Sequence, residues 1–318
     1  MPSRIGLVLG AGGVAGGAFH AGVLAALAEA TGWDARRSTI IVGTSAGSIT
    51  GAALRSGLAP ADLLADAEGR ALSPDGARKM RAGAGRRTPP LTPTPRRAPI
   101  GAHVARTLAR AAARPFSARP LALLAGLLPE GTVSADLIVN AVGEIAPSAW
   151  PNDPLWICAV RERDGKLVVF GRDAAAPLPY AVAASCAIPG YFRPVGIDGE
   201  RFVDGGAHSP TNADLLNAAA LDLVIISSPM SSTGRGVRLA VDQPARRWSR
   251  MLLDVEAMRL RRAGIHVIAF QPTAADLAVA GSNPMDPSRR GAIASQARAS
   301  TLRRLARADT QARLAPLT

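Results

Sequence analysis

The sequence predicts an α/β fold with a parallel sheet, and two observations carry that prediction. The opening 60 residues contain two successive units of one kind, each an apolar run, a glycine-rich turn and a segment with helical apolar spacing. Parallel strands need a crossover between them, and a helix is the usual one. Further along, Leu221 to Ser227 and His266 to Phe270 read as buried strands separated by another helical segment. The composition, 48% hydrophobic and 19% charged, is that of a globular chain.

Each element follows from local pattern. Ile5 to Leu9 is the first strand, ended by Gly10, and Phe19, Val23, Leu24 and Leu27 then recur at helical spacing within Gly16 to Glu29. Thr39 to Val42 is the second strand, Gly43-Thr-Ser-Ala-Gly47 its turn, and an alanine-rich segment to about Ser56 its helix. Gly69 to Pro99 breaks the pattern, with six prolines and eight basic residues against the single acid Asp75. Such a composition cannot bury enough apolar surface to pack as core. With candidate helices at Ile100 to Arg114 and Pro120 to Leu128, residues 69–130 read as an insertion on the parent fold: a lid, a cap or a flexible loop.

Ser134 to Ile145 is an amphipathic helix. Leu155 to Arg161 and Leu167 to Phe170 flank Asp164-Gly165, and Arg193 to Ile197 and Arg201 to Val203 flank Asp198-Gly199. Asp-Gly between apolar runs is a hairpin signal because both residues tolerate positive φ. A helix with Trp248, Met251, Leu252 and Val255 on one face precedes the last strand, and Pro287 to Arg307 reads as a basic amphipathic helix.

Composition narrows the function classes. No run of about 18 uninterrupted apolar residues occurs, so no membrane-spanning helix is expected. The amino terminus lacks the charged, apolar and small-residue succession of a secretory signal, and the chain reads as cytoplasmic, with peripheral contact to a membrane left open. Cys158 and Cys186 alone make no disulfide framework and match no metal-ligand spacing, so both read as inert thiols and no metal or organic cofactor is expected. The 37 basic against 24 acidic residues give +13, almost wholly as arginine, since Lys79 and Lys166 are the only lysines. That excess favours anionic surfaces in general. No recognition motif accompanies it, so nucleic acid is not expected as a partner.

Three motifs carry chemistry. Gly43-Thr-Ser-Ala-Gly47 is a G-x-S-x-G sequence between a strand and a helix, the context in which its serine is thrust out of a strained turn. An ordinary turn of small residues is the alternative. The loop Gly10-Ala-Gly-Gly-Val-Ala-Gly-Gly17 opens a helix, and such loops bind either dinucleotide phosphates or an oxyanion. A dinucleotide site also wants an acid at the end of the second strand, where this chain has Gly43-Thr44-Ser45. Val203-Asp204-Gly205-Gly206 ends a hairpin strand, where a carboxylate can accept a serine proton if burial raises its basicity. None of the four histidines, His20, His103, His208 and His266, is placed to act as the usual base; His208, close to Asp204, is the one retained as a candidate.

These elements, in this order, resemble the patatin-like phospholipase family: a glycine-rich loop after the first strand, G-x-S-x-G after the second, and Asp-Gly-Gly far downstream. Ala184 to Pro194, a block of small residues, proline and phenylalanine just before the aspartate strand, is similar as well. The resemblance covers residues 4–215, taken as the catalytic domain with its insertion at about 69–130, and leaves 216–318 as an α/β extension on the same core. It implies a three-layer α/β/α fold around a mostly parallel sheet. It implies a Ser-Asp dyad with Ser45 as nucleophile and Asp204 as base, and an oxyanion hole from the amides of Gly12, Gly13 and Val14. The motif glycines are Gly10, Gly16, Gly43, Gly47, Gly205 and Gly206.

The expected activity is hydrolysis of a lipid or lysolipid acyl ester, of phospholipase A, lysophospholipase or esterase type. One departure stands out: the family usually carries an arginine or lysine shortly before the last glycine of the loop, where this chain has Ala15-Gly16-Gly17 and one extra residue. A catalytically inactive, membrane-associated relative and a nucleotide-binding protein are the competing readings.

Overall fold

The computed structural model describes residues 3–83, 130–146, 150–233 and 243–314. The candidate helices at 100–114 and 120–128 lie outside them. Eight strands form one sheet: β1 (Ile5–Leu9), β2 (Ile40–Thr44), β3 (Leu155–Arg161), β4 (Lys166–Phe170), β5 (Val195–Ile197), β6 (Glu200–Asp204), β7 (Leu223–Ser227) and β8 (His266–Phe270). The order is β5-β6-β3-β2-β1-β7-β8, with β4 also paired to β3. β1, β2, β3, β7 and β8 are mutually parallel; β4 and β6 pair antiparallel with β3 and β5 antiparallel with β6, the two Asp-Gly hairpins joining β3 to β4 and β5 to β6. At the second turn Asp198 and Gly199 both have positive φ, 48° and 75°.

Alternation along β1 assigns the layers. Ile5, Leu7 and Leu9 face one core with α1 (Gly13–Thr31), α2 (Ala46–Arg55), α3 (Pro60–Ala67), α5 (Asp136–Ile145), α6 (Leu178–Ser185) and α9 (Arg290–Leu305), whereas Val8 faces a second core with α7 (Gln243–Arg262). The fold is therefore an α/β/α sandwich around a mostly parallel sheet. α4 (Pro74–Gly83), α8 (Ala274–Ala280) and α10 (Ala308–Leu314) complete the described helices.

Three expectations need correction. α1, 19 residues long, has the length and composition to cross a membrane, although no apolar run revealed it. It is instead a core helix, with His20 and Val23 to Leu27 buried. The start of the basic insertion is packed structure, because Asp62 accepts the Ser73 amide (2.7 Å) and hydroxyl (3.0 Å), and Lys79 reaches the Gly57 carbonyl (2.8 Å), fixing α4 against α3. The stripe of Trp248, Met251, Leu252 and Val255 is not the packed face: Met251 is 56% exposed and the other three are half-buried, while Ser249, Leu253, Glu256, Ala257 and Leu260 are the buried side of α7.

Candidate active site

Two strand ends meet on one edge of β3. β2 runs along Leu155 to Cys158 and stops with Thr44 opposite Cys158; β6 runs the other way, with Asp204 opposite Ala159. β4 occupies the opposite edge, so β2 and β6 share this one and their carboxyl ends face each other. Ser45 follows Thr44 and Asp204 ends β6, so the topology brings the two side chains to one place.

Ser45 sits at φ 52°, ψ −121°, between β2 and α2, a conformation that costs a non-glycine residue on the order of 1–3 kcal/mol. Its surroundings hold it there. The Ser45 amide donates to Ser185 Oγ (2.9 Å), which donates to the Cys158 carbonyl (2.6 Å), and the Ser45 carbonyl accepts from the Ser48 amide (2.8 Å) and hydroxyl (2.6 Å). The turn closes so tightly that a Cβ on Gly47 would lie 1.9 Å from the Leu9 carbonyl oxygen. Gly43 is equally confined, against Ser48 Cα at 2.7 Å.

Asp204 is 5% exposed. Burial pushes its pKa up to about 6, against the lowering effect of hydrogen bonds from the Ser45 side chain and the Gly206 amide. The amide contact, to Oδ1, is 2.6 Å. A carboxylate with that pKa is a stronger base than a free one and is still ionised at neutral pH. Gly205 allows the approach, since a Cβ there would meet the Cys158 carbonyl oxygen at 2.2 Å.

The glycine loop is pinned at both ends and open in the middle. Gly10 N donates to Ser227 O (2.9 Å), Ala11 N to Pro210 O (2.8 Å), Ala15 N to Pro284 O (2.9 Å) and Gly16 N to Gly12 O (2.8 Å). The amides of Gly12, Gly13 and Val14 have no partner among the described residues. They stand at the start of α1, where the helix dipole adds positive potential. His20 lies beneath the loop: its Nε2 donates to the Gly10 carbonyl and its Nδ1 accepts from Ser227 Oγ, both at 2.8 Å. Full burial lowers its pKa to about 4, outweighing the Gly10 contact, so the ring is neutral.

A cavity of about 470 Å³ opens beside this assembly. Gly13, Val14 and Ser45 border it, and Gly17, Ala18, Ala21, Ile49, Ala53, Leu58, Met80 and Ile138 make most of its wall apolar. Cys186, at the end of α6, also lines it, with its Sγ 3.7 Å from Ser48 Oγ. Burial and then the charge of Asp204 push the Cys186 thiol up to about 12, which keeps it protonated and without nucleophilic character.

The other candidates are placed elsewhere. His208 Nδ1 hydrogen-bonds Asn212 Oδ1 (2.9 Å), and His266 opens β8 on an exposed position. His103 lies outside the described residues. Among the described residues no group of histidine, cysteine and carboxylate side chains could hold a metal ion. Sequence reasoning missed Ser185 and Asn212; the small-residue block before Pro189 was the one signal for the first.

The model of the patatin-like phospholipase family matches residues 7–217. No curated protein matches. Among solved structures the chain is similar to VipD from Legionella pneumophila, at 17% identity and a TM-score of 0.43, over 95% of this chain and 66% of that one. The chain thus spans slightly under two thirds of that relative's length.

Proposed function

The chain belongs to the patatin-like phospholipase family, and on that premise we propose that it is a serine hydrolase of lipid acyl esters, working through a Ser45–Asp204 dyad. The observation that carries this reading is the convergence of β2 and β6 on one edge of β3, beside three unpaired amides and an apolar cavity.

In this mechanism the acyl chain lies in the cavity along α1 and α2. Ser45 Oγ attacks the ester carbonyl carbon while its proton passes to Asp204, and the carbonyl oxygen becomes an oxyanion held by amides of Gly12, Gly13 and Val14. Each such donor contributes on the order of 3 kcal/mol to the transition state. Collapse breaks the bond to the leaving oxygen, which takes the proton from Asp204. Water then attacks the acyl-enzyme with Asp204 again as base, releasing the fatty acid and restoring Ser45. The strained turn at Ser45 presents its oxygen before substrate arrives, so little reorganisation remains. The +13 charge supports peripheral contact with an anionic bilayer as the route to substrate.

The test is labelling by a fluorophosphonate together with hydrolysis of acyl esters, comparing the native chain with Ser45→Ala and Asp204→Asn. Labelling lost in Ser45→Ala, and turnover lost in both, is the expected result. A native chain that binds anionic liposomes but neither labels nor turns over would make it an inactive relative, with Ala15 the first position to restore as arginine.

A further inference from the structure

The segment after Asp204 touches every part of the proposed machinery. It leaves Asp204 through Gly205, whose carbonyl accepts from the amides of His208 (3.0 Å) and Ser209 (3.2 Å). Its Pro210 carbonyl accepts from Ala11 N at 2.8 Å, one residue before the first unpaired amide of the glycine loop. Asn212 Nδ2 donates to Thr44 Oγ1 at 3.1 Å, directly before Ser45. Asn212 is itself fully buried in the left-handed region, at φ 51°, a conformation that must be imposed from outside.

Within the loop Asn212 Nδ2 also donates to Ser209 O (2.6 Å) and Asn212 N to Ser209 Oγ (3.3 Å), and the residues on either side of it are held from beyond residue 217. Glu256 of α7, 1% exposed, accepts from Ser209 Oγ (2.6 Å), Thr211 Oγ1 (2.5 Å) and Ala213 N (2.9 Å). A buried carboxylate is costly unless its lone pairs are filled, and an apolar side chain would occupy the same space without that cost. An apolar side chain supplies no direction, however. Three donors on one carboxylate fix Ser209, Thr211 and Ala213 relative to one another, and Pro210 and Asn212 lie between them.

On the reading that Ser45 and Asp204 are the reacting pair, we propose that Glu256 is a positioning residue: through the 209–213 loop it sets the register between the base, the serine turn and the oxyanion loop. The carboxy-terminal part of the chain then takes part in turnover without touching substrate. Misplacement of a reacting group by about 1 Å can cost on the order of a hundredfold in rate, so loss of this clamp should be read in kcat.

The test uses the full chain carrying Glu256→Gln or Thr211→Val, with Ser45→Ala alongside. Active sites are titrated with fluorophosphonate, so that kcat is expressed per competent site; a purely structural role would lower the number of sites and leave kcat per site unchanged. The expected result for Glu256→Gln is a fall in kcat per site of at least about tenfold with KM within about twofold, and for Thr211→Val a smaller fall in the same sense. Where Glu256→Gln does not fold, Thr211→Val decides, because it leaves the carboxylate its bonds from Ser209 Oγ and Ala213 N. Native kcat per site in every variant that folds overturns the proposal while leaving the dyad standing. Turnover surviving in Ser45→Ala overturns the dyad and the clamp with it.

Discussion

Thr44 and Asp204 pair with consecutive residues of the same strand edge, Thr44 with Cys158 and Asp204 with Ala159. Backbone pairing in the middle of a sheet therefore brings Ser45, the residue after Thr44, to the proposed base, and the turn and loop around them refine the approach. Neither Thr44 nor Asp204 can shift without breaking pairing to β3. A two-residue unit of this kind has consequences that can be measured.

Replacing Ser45 by alanine or Asp204 by asparagine should each lower kcat/KM by at least about a thousandfold, and the double variant should be no worse than the poorer single one. Because Asp204 must be ionised to accept a proton and its pKa is about 6, kcat/KM should rise tenfold per pH unit below that value and level off above it. Additive losses in the double variant would sink the dyad, and a pH–rate midpoint near 4 would show that burial does not raise Asp204.

The same burial makes Asp204 a liability to the fold. Its folded pKa of about 6 exceeds the ordinary 3.8, so between those values the native state binds more protons than the unfolded state and stability falls as pH rises. Asp204→Asn should therefore be more stable than the native chain at pH 7, by up to about 3 kcal/mol, the full shift expressed as free energy. The gain should vanish below about pH 4. Urea midpoints at the two pH values decide it.

His20 acts in the opposite direction over nearly the same range. Its pKa is lowered from 6.5 to about 4, so stability is full above the unfolded value and drains away as pH falls toward 4, by up to about 3 kcal/mol. The two groups largely offset each other in the native chain. With Asp204 replaced by asparagine that offset is gone, so the variant should lose stability as pH drops from 6.5 to 4, a loss that vanishes if His20 titrates normally.

Chain-length preference is open to redesign at Gly17, where an added Cβ meets nothing within 4 Å although the residue borders the cavity. Gly17→Leu should fill that space. Each methylene buried is worth about 0.8 kcal/mol, roughly fourfold in kcat/KM, so the variant should lose about tenfold or more on long-chain esters and keep short-chain turnover within about twofold. Equal losses on both would place the acyl chain elsewhere.

How much of this was legible in the sequence depended on how local the cause was. The strand runs Ile5–Leu9 and His266–Phe270 and both Asp-Gly hairpins are written in consecutive residues, and the structure has them there. α6 went unread because Pro177, Pro179 and a run of small side chains look like a turn, and only the packing of fully buried residues reveals the helix. α4 was masked by the charged and proline-rich sequence around it, since its anchor, Asp62, precedes it in another helix. The buried polar residues were the least legible. Nothing near His20 or Glu256 indicates that one would sit under Gly10 and the other grip Ser209, because those partners come from distant parts of the chain. α7 misled for a related reason: of its apolar stripe Met251 is exposed and Trp248, Leu252 and Val255 are only half-buried, while a glutamate lies on the packed side.

β1 has neighbours on both sides, β2 on one and β7 on the other, and all five of its residues are buried. A chain cut after residue 217, where the family match stops, would strip β7 and β8 away and leave Ile5 to Leu9 as a bare, uncharged, apolar edge. Such an edge is a template for pairing with another copy. The shortened protein should therefore precipitate rather than fold into a smaller enzyme, and the boundary for any working fragment lies beyond Phe270.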